Sequence, residues 1–457
     1  MQQRSESKAG DQAALERLAL LIRQKTESFY DDSLRDRPLF QKFPSVLEST
    51  YARAMEVLEL IPLGELALVY RWSGSDPSLD PVLFMGHYDV VGANDGEWSV
   101  PPFAGEIRDG FLYGRGTQDI KCHLGGYMEA VTLLADQGFV PRRTLYFAFG
   151  GDEEVAGLQG AGRISAWFRE QGIRFHFVLD EGGVISTDGL AAFSPRPAAL
   201  IGIAEKGMAS FRIVCRGQSG HSSMPPAHTA VGNLSRAVCR LEARPSPLKV
   251  ETSVRRLFRE VAPHSRGILG LILRLYPLTS GLLKAAFAAK PSTAALVRTT
   301  RAVTMVGGGT RENVLPDRAE AVVNFRIIPG ETVDSVRKEL RKRLKGLPVT
   351  VEDYEGWPAS DPVPAPETET EAYRLLAGSI REVFPEVLPL PFLMVGSTDS
   401  KQFRDLSGDI FRFTPIFISN RDLERVHGVD ERISLENYQG MIRFYCHLIK
   451  KSCSSAN

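Results

Sequence analysis

Between residues 81 and 183 the chain alternates two kinds of segment. "PVLFMGHYDV" (81–90), "TLYFAFG" (144–150) and "FHFVLDEGG" (175–183) are short apolar runs that end in polar or glycine-rich stretches. "GGYMEAVTLLADQG" (125–138) and "LQGAGRISAWFREQG" (158–172) fall between them with helical spacing, the first stopped by Gly138. Strand, helix, strand, helix, strand requires a mostly parallel sheet covered on both faces. Ligands in such sheets sit beyond the carboxyl ends of the strands. The polar clusters of this chain fall at those ends.

The pattern changes near residue 205. "GMASFRIVCRG" alternates like a half-exposed strand, "HTAVGNLSRAVCRLEA" is helical, "RAEAVVNFRIIPG" is a strand and "TVDSVRKELRKRLKG" is a charged amphipathic helix. From about 360 helices and apolar strands return. The expected fold is α/β: a mostly parallel-sheet catalytic domain (1–204 and 358–457) interrupted by a smaller inserted α+β domain (205–357).

The 457 residues give room for two or three domains. Lys plus Arg and Asp plus Glu number 55 each, a balance that argues against a nucleic-acid partner. Five scattered cysteines (Cys122, Cys215, Cys239, Cys446, Cys453) include no CxxC pair. That argues against a disulfide framework or thiolate zinc site and fits a reducing, cytoplasmic compartment. "MQQRSESKAGDQAALERLALLIRQ" has no uninterrupted apolar core and so does not read as a signal peptide; it reads as an amphipathic helix with Leu18, Leu20, Leu21 and Ile22 near one face. In the apolar stretch 267–290, Arg274, Pro277 and Lys284 interrupt any membrane span. A buried or pocket-lining helical pair is expected there.

Ligand-type residues recur at the strand ends: His87 and Asp89 as H-x-D, Asp119 in "GRGTQDIKCH", Glu153 and Glu154 in "FAFGGDEEVAG", Asp180, and His427 in "RVHGVDERIS". Two histidines and several carboxylates suit a divalent cation such as zinc. Any one of these acids alone would be read as a turn or cap. Three adjacent acids in "GGDEE" repel one another unless a cation sits among them.

"GHYDVV", "YGRGTQDIK", "GDEE", "LDEGG", "GHSSMPP" and "HGVDERIS" resemble the di-zinc exopeptidase and aminoacylase family, from about residue 70 to 445. That family includes carboxypeptidase S, carnosine dipeptidases, aminoacylases and desuccinylases. "GSDPSL", "EKG", "NFRIIPG", "VFPEV" and "GSTDS" look most like the carboxypeptidase S and N-fatty-acyl-amino-acid synthase/hydrolase branch. The resemblance implies two Zn2+ per subunit, with Co2+ or Mn2+ as substitutes. It makes Asp119 the bridging carboxylate, His87 and Asp180 the ligands of one metal, and Glu154 and His427 those of the other. Glu181, next to Asp180, is the competing candidate. Asp89 would fix the His87 tautomer, Glu153 would be the general base, and the Asp119–Ile120 bond would be cis. His221 would stabilise the oxyanion, reaching into the partner's site in a homodimer. Asn313 and Arg326 would bind substrate, Arg326 as a fork for a carboxylate, with Ser397 and Thr398 of "VGSTDS" aiding. Asp152 has no assigned role beyond a solvated turn.

The implied reaction is hydrolysis of an amide whose amine half is a C-terminal amino acid, on a peptide or N-acyl-amino-acid substrate, with reverse condensation open for fatty-acyl relatives. Two other readings stand beside it: a di-zinc aminopeptidase, which would recognise a free α-amine, and an inactive family member that only binds. The apolar block 267–290 is either an acyl-chain pocket or extra core or dimer surface.

Overall fold

The computed structural model describes residues 2–188, 193–276 and 278–453. In chain order its main strands are β1 (Glu59–Pro62), β2 (Ala67–Trp72), β3 (Val82–His87), β4 (Leu145–Gly150), β5 (Phe177–Ser186), β6 (Ala198–Glu205), β7 (Gly207–Arg216), β8 (Thr300–Gly308), β9 (Arg318–Ile327), β10 (Thr350–Asp353), β11 (Leu388–Met394) and β12 (Ile410–Ile418). Eight form one sheet in the order β1-β2-β4-β3-β5-β12-β6-β11. The centre is parallel: β3 pairs with β4 and β5, and β5 with β12. Every residue of β3 and β4 is buried, as strands covered on both faces must be.

The covering helices include α1 (Gln2–Ile22), α2 (Lys121–Asp136), α3 (Ala161–Glu170), and, near the C-terminus, α4 (Glu371–Val383) and α5 (Leu435–Ser452). Leu18, Leu21 and Ile22 of α1 pack into the core, whereas Leu20 points outward, so the expected apolar face loses one member. Helix α2 meets α5 closely: a Cβ on Gly125 would lie 2.5 Å from the Tyr438 hydroxyl. No described helix is long and apolar enough to cross a membrane.

The remaining strands form an antiparallel sheet, β8-β9-β7-β10. With α6 (Ala230–Glu242) and α7 (Val333–Arg343) it has its own core, including Phe211, Ile213, Leu234, Val323 and Leu340. The expectation of one inserted unit over 205–357 meets a difference here. Val254, Leu257 and Phe258 of α8 (Thr252–Val261), with Leu273, Leu283 and Phe287 beyond it, belong to the main core. The reason is local: α8 is strongly amphipathic, and its apolar face lies on the edge strand β11 of the large sheet.

Candidate metal centre

Four chain segments converge beyond the carboxyl ends of β3, β4 and β5. His87 is the last residue of β3, and Glu153 and Glu154 begin a short turn just after β4. Asp119 stands immediately before α2, preceded by glycine turns and followed by a cis Asp119–Ile120 bond. His427 lies in the loop after β12, with a left-handed backbone (φ 60°).

Asp119 faces both histidines. Its Oδ1 is 3.0 Å from His87 Nε2, and its Oδ2 is 2.9 Å from His427 Nε2. Glu154 Oε1 is 3.3 Å from His427 Nε2, and Glu181 Oε1 is 3.4 Å from His87 Nε2. Two ligand-type triads therefore share one carboxylate: His87–Asp119–Glu181 and Asp119–Glu154–His427. Glu153 comes to the same place, grouped with His87 and Glu154.

The electrostatics are those of a site short of positive charge. Burial pushes the Glu153 carboxyl well above its ordinary range, reinforced by Glu181, Asp399 and Glu154 and opposed by His87. Burial likewise raises Glu181 and Glu154. Burial works against the charge on Asp119, yet hydrogen bonds from His427 and His87 hold it well below the carboxylate range. Those bonds, to Asp119 and then Glu154, raise His427 to about 10. Glu154 Oε1 is buried with no hydrogen bond of good geometry. Two imidazoles, several carboxylates and a buried carboxylate oxygen without a well-aligned partner make a donor set that fits divalent cations.

The surrounding shell is built from acids that bind backbone. His87 Nδ1 donates to the Asp89 carbonyl at 3.0 Å, which leaves Nε2 facing the site; the Asp89 carboxylate is farther, at 3.4 Å. That carboxylate chiefly collects Glu153 N, Glu154 N and the Ser28 hydroxyl, at 3.1, 3.1 and 2.7 Å, so it fixes the glutamate turn. Asp152 differs from expectation: it is buried, not solvated. Its two oxygens accept from Gln159 N and Gly160 N, each at 2.7 Å, and pin the turn to the start of α3. Burial raises its pKa to about 6.

Glu431 escaped the sequence reading although it sits four residues after His427. Its Oε1 accepts from Gly116 N, Gln118 N and Asp119 N, and its Oε2 from Arg115 Nη1 at 2.7 Å. One buried carboxylate thus ties the His427 loop to the segment that presents Asp119. The only sequence signal was its place in "HGVDER".

Several expected residues lie elsewhere. The Asp180 carboxylate accepts from Ser400 N at 2.9 Å, while its neighbour Glu181 reaches His87. The two side chains leave the strand on opposite faces, so only one turns to the histidine. Ser397 and Thr398, expected on substrate, are bonded to Glu205: Ser397 Oγ at 2.9 Å and Thr398 N at 3.3 Å. Arg412 Nε balances that buried acid at 2.7 Å. His221 is exposed on a two-residue strand, and its neighbour Ser222 N bonds the Asn313 carbonyl, so these two share one tip. Arg326 stands apart from them on β9. Its guanidinium makes no hydrogen bond or ion pair among the described residues; burial lowers its pKa, opposed by Glu205 and Tyr30. Tyr30, which sequence reasoning missed, also feels Glu154 and Glu153 after burial, and packs edge-on to Trp357 at 6.2 Å.

The fold and the site define a class: a mostly parallel α/β fold with a candidate metal centre at the carboxyl ends of its central strands. Residues 83–451 match the model of peptidase family M20/M25/M40, and the chain belongs to that family. It is 36% identical over 445 residues to "Probable carboxypeptidase S-like 2" of Dictyostelium discoideum, covering 96% of this chain and 84% of that protein. It is 38% identical over 418 residues to the Homo sapiens "N-fatty-acyl-amino acid synthase/hydrolase PM20D1", covering 90% and 80%. Among solved structures, an M20 family metallo-carboxypeptidase from Sulfolobus solfataricus superposes with TM-score 0.68 at 18% identity, over 96% of this chain and 98% of that one. The chain is accordingly an enzyme of metal-dependent amide hydrolysis.

Proposed function

We propose that this enzyme binds two zinc ions and cleaves an amide whose amine half is an amino acid with a free carboxylate. The observation that carries the reading is the pair of triads meeting at Asp119. His87 and Glu181 would hold one cation, and His427 and Glu154 the other, with Asp119 serving both; bound there, they would supply Lewis acidity that lowers the pKa of water. Glu181 takes the place first expected of Asp180, because its oxygen is the one within reach of His87.

Glu153, raised by burial and held by Asp89 through its backbone N–H, takes the proton from the attacking water and delivers it to the leaving amine. Arg326, a half-buried cation with no partner among the described residues, receives the substrate carboxylate as a planar fork. His221 is exposed and, among the described residues, has only Ser223 as a side-chain partner, which supports a homodimer in which it completes the other subunit's site with Asn313 beside it. The exposed edge strand β8 is the natural seam for that pairing. Five free cysteines support work in a reducing, cytoplasmic compartment. The names of the two relatives support acyl halves of both kinds, peptidyl and fatty acyl.

The test is hydrolysis of matched substrates with either end blocked. Turnover of N-acyl-phenylalanine should collapse when the carboxylate becomes an amide. Arg326→Ala should lower kcat/KM by about 10- to 100-fold on the free acid and little on the blocked one. Undiminished turnover of the carboxylate-blocked substrate, with loss on blocking an α-amine, would make the enzyme an aminopeptidase instead.

A further inference from the structure

The apolar block 267–290 splits into two faces. In α9 (Gly267–Arg274) and α10 (Ser280–Ala288), Leu273, Leu283 and Phe287 are buried, and Phe287 meets Phe258 edge-on at 4.9 Å. The opposite face is open. Ile268, Leu271, Leu275, Leu278 and Leu282 are 79, 57, 45, 89 and 58% exposed. These side chains line no enclosed acyl pocket. Five large aliphatic residues standing in water on a firmly anchored helical pair mark a surface that binds something.

The charge on that surface is one-sided. The chain as a whole is neutral, yet from 261 to 297 it contains no Asp or Glu, and Arg266, Arg274, Lys284 and Lys290 are its cations. Arg266 and Arg274 make no hydrogen bond or ion pair among the described residues. Both line a cleft of about 560 Å³ at the foot of α9, with Arg196, His264, Ser265 and Leu271. No acid lines it. Arg196 is held by the carbonyls of Pro385, Glu386 and Val387, so the free cations are at the rim. Of the acids nearby, Glu251 caps α8 and Glu260 meets Tyr373 and Arg256, while Glu367 lines an adjoining cleft in which Arg255, Arg256, Arg259 and Arg274 outnumber it.

We propose that α9 and α10 dock this enzyme on an anionic phospholipid surface. The exposed leucines and Ile268 enter the acyl boundary, and Arg266 and Arg274 take a lipid phosphate at the cleft. An apolar face with a basic rim and no acid is the pattern of an interfacial helix. A second copy of this chain would meet like charge with like charge at this face. The inference stands independently of which amide the active site cleaves.

Co-sedimentation of the full chain with sucrose-loaded vesicles tests it. Binding to phosphatidylcholine mixed with phosphatidylglycerol should exceed binding to phosphatidylcholine alone by about tenfold or more, and fall as salt rises. Leu271→Glu with Leu278→Glu should abolish it. Arg266→Gln with Arg274→Gln should weaken it by roughly 25-fold, about fivefold per charge removed. Tm and turnover of a short soluble substrate should not change in either variant. Equal binding to both vesicles, or none, overturns the proposal. So does unchanged binding in the leucine variant, which would leave only a charged patch. Stabilisation of Tm by inorganic phosphate without vesicle binding would mark a free-anion site, and loss of a dimer in the leucine variant without vesicle binding would mark a subunit seam; either result also overturns it.

Discussion

Asp89 accepts three hydrogen bonds and Glu431 four, and both are wholly buried. Arg326 and His221, on the antiparallel sheet and its tip, have between them one side-chain partner, Ser223. Both regions are expected to serve one reaction, yet the first is locked before substrate arrives and the second is held open. The difference follows from what each must meet. Metal ligands need their geometry fixed in advance, because a misplaced donor loses affinity steeply. A substrate-binding cation needs a vacancy that the substrate carboxylate itself fills. On the proposed function, the large sheet supplies the fixed half and the smaller sheet the receptive half.

Breaking the locked region should cost most. Glu431→Gln leaves Arg115 buried without its charge partner and loosens three backbone donors of the Asp119 segment. Metal affinity should fall about 10- to 100-fold, and stability by about 3–5 kcal/mol, read by metal titration and thermal unfolding. A substitution at Arg326 should spare both quantities. If Glu431→Gln were as mild as Arg326→Ala in Tm and metal content, the contrast between the regions would fail.

A smaller effect sharpens the same contrast through pH. His123, one turn into α2, is buried with Nε2 3.0 Å from Thr414 Oγ1, and burial lowers its pKa from 6.5 to about 3. The unfolded chain therefore binds a proton that the folded chain refuses between those values. The stability this group contributes is present above about 6.5 and lost as pH falls towards 3, at up to about 1.4 kcal/mol per pH unit. In metal-free protein, His123→Gln should remove that part of the acid slope of Tm. Identical slopes would show that His123 is not held neutral.

How much of this was legible in the sequence depended on distance along the chain. His87, Asp119, Glu154 and His427 were readable because each follows a recognisable strand or motif. Glu431 was not, because its service is to Gly116 through Asp119, more than 300 residues away. Asp152 was misread because a buried acid and a solvated one look alike in "GGDEE"; the donors that bury it, Gln159 and Gly160, come from the next turn. Asp180 and Glu181 could not be separated because the choice depends on which way one strand faces. The leucines of 267–290 were visible as apolar, but their division into a buried and an open face is a product of tertiary packing.

On the proposed function Asp119 joins two metal sites and Glu153 belongs to neither. Metal content per chain, measured alongside turnover, tests it directly. Wild type should hold two ions, Glu154→Gln and His427→Asn one each, and Glu153→Gln should keep two while turnover drops about 10³-fold. A single ion in wild type, or equal metal loss in Glu153→Gln and Glu154→Gln, would contradict it.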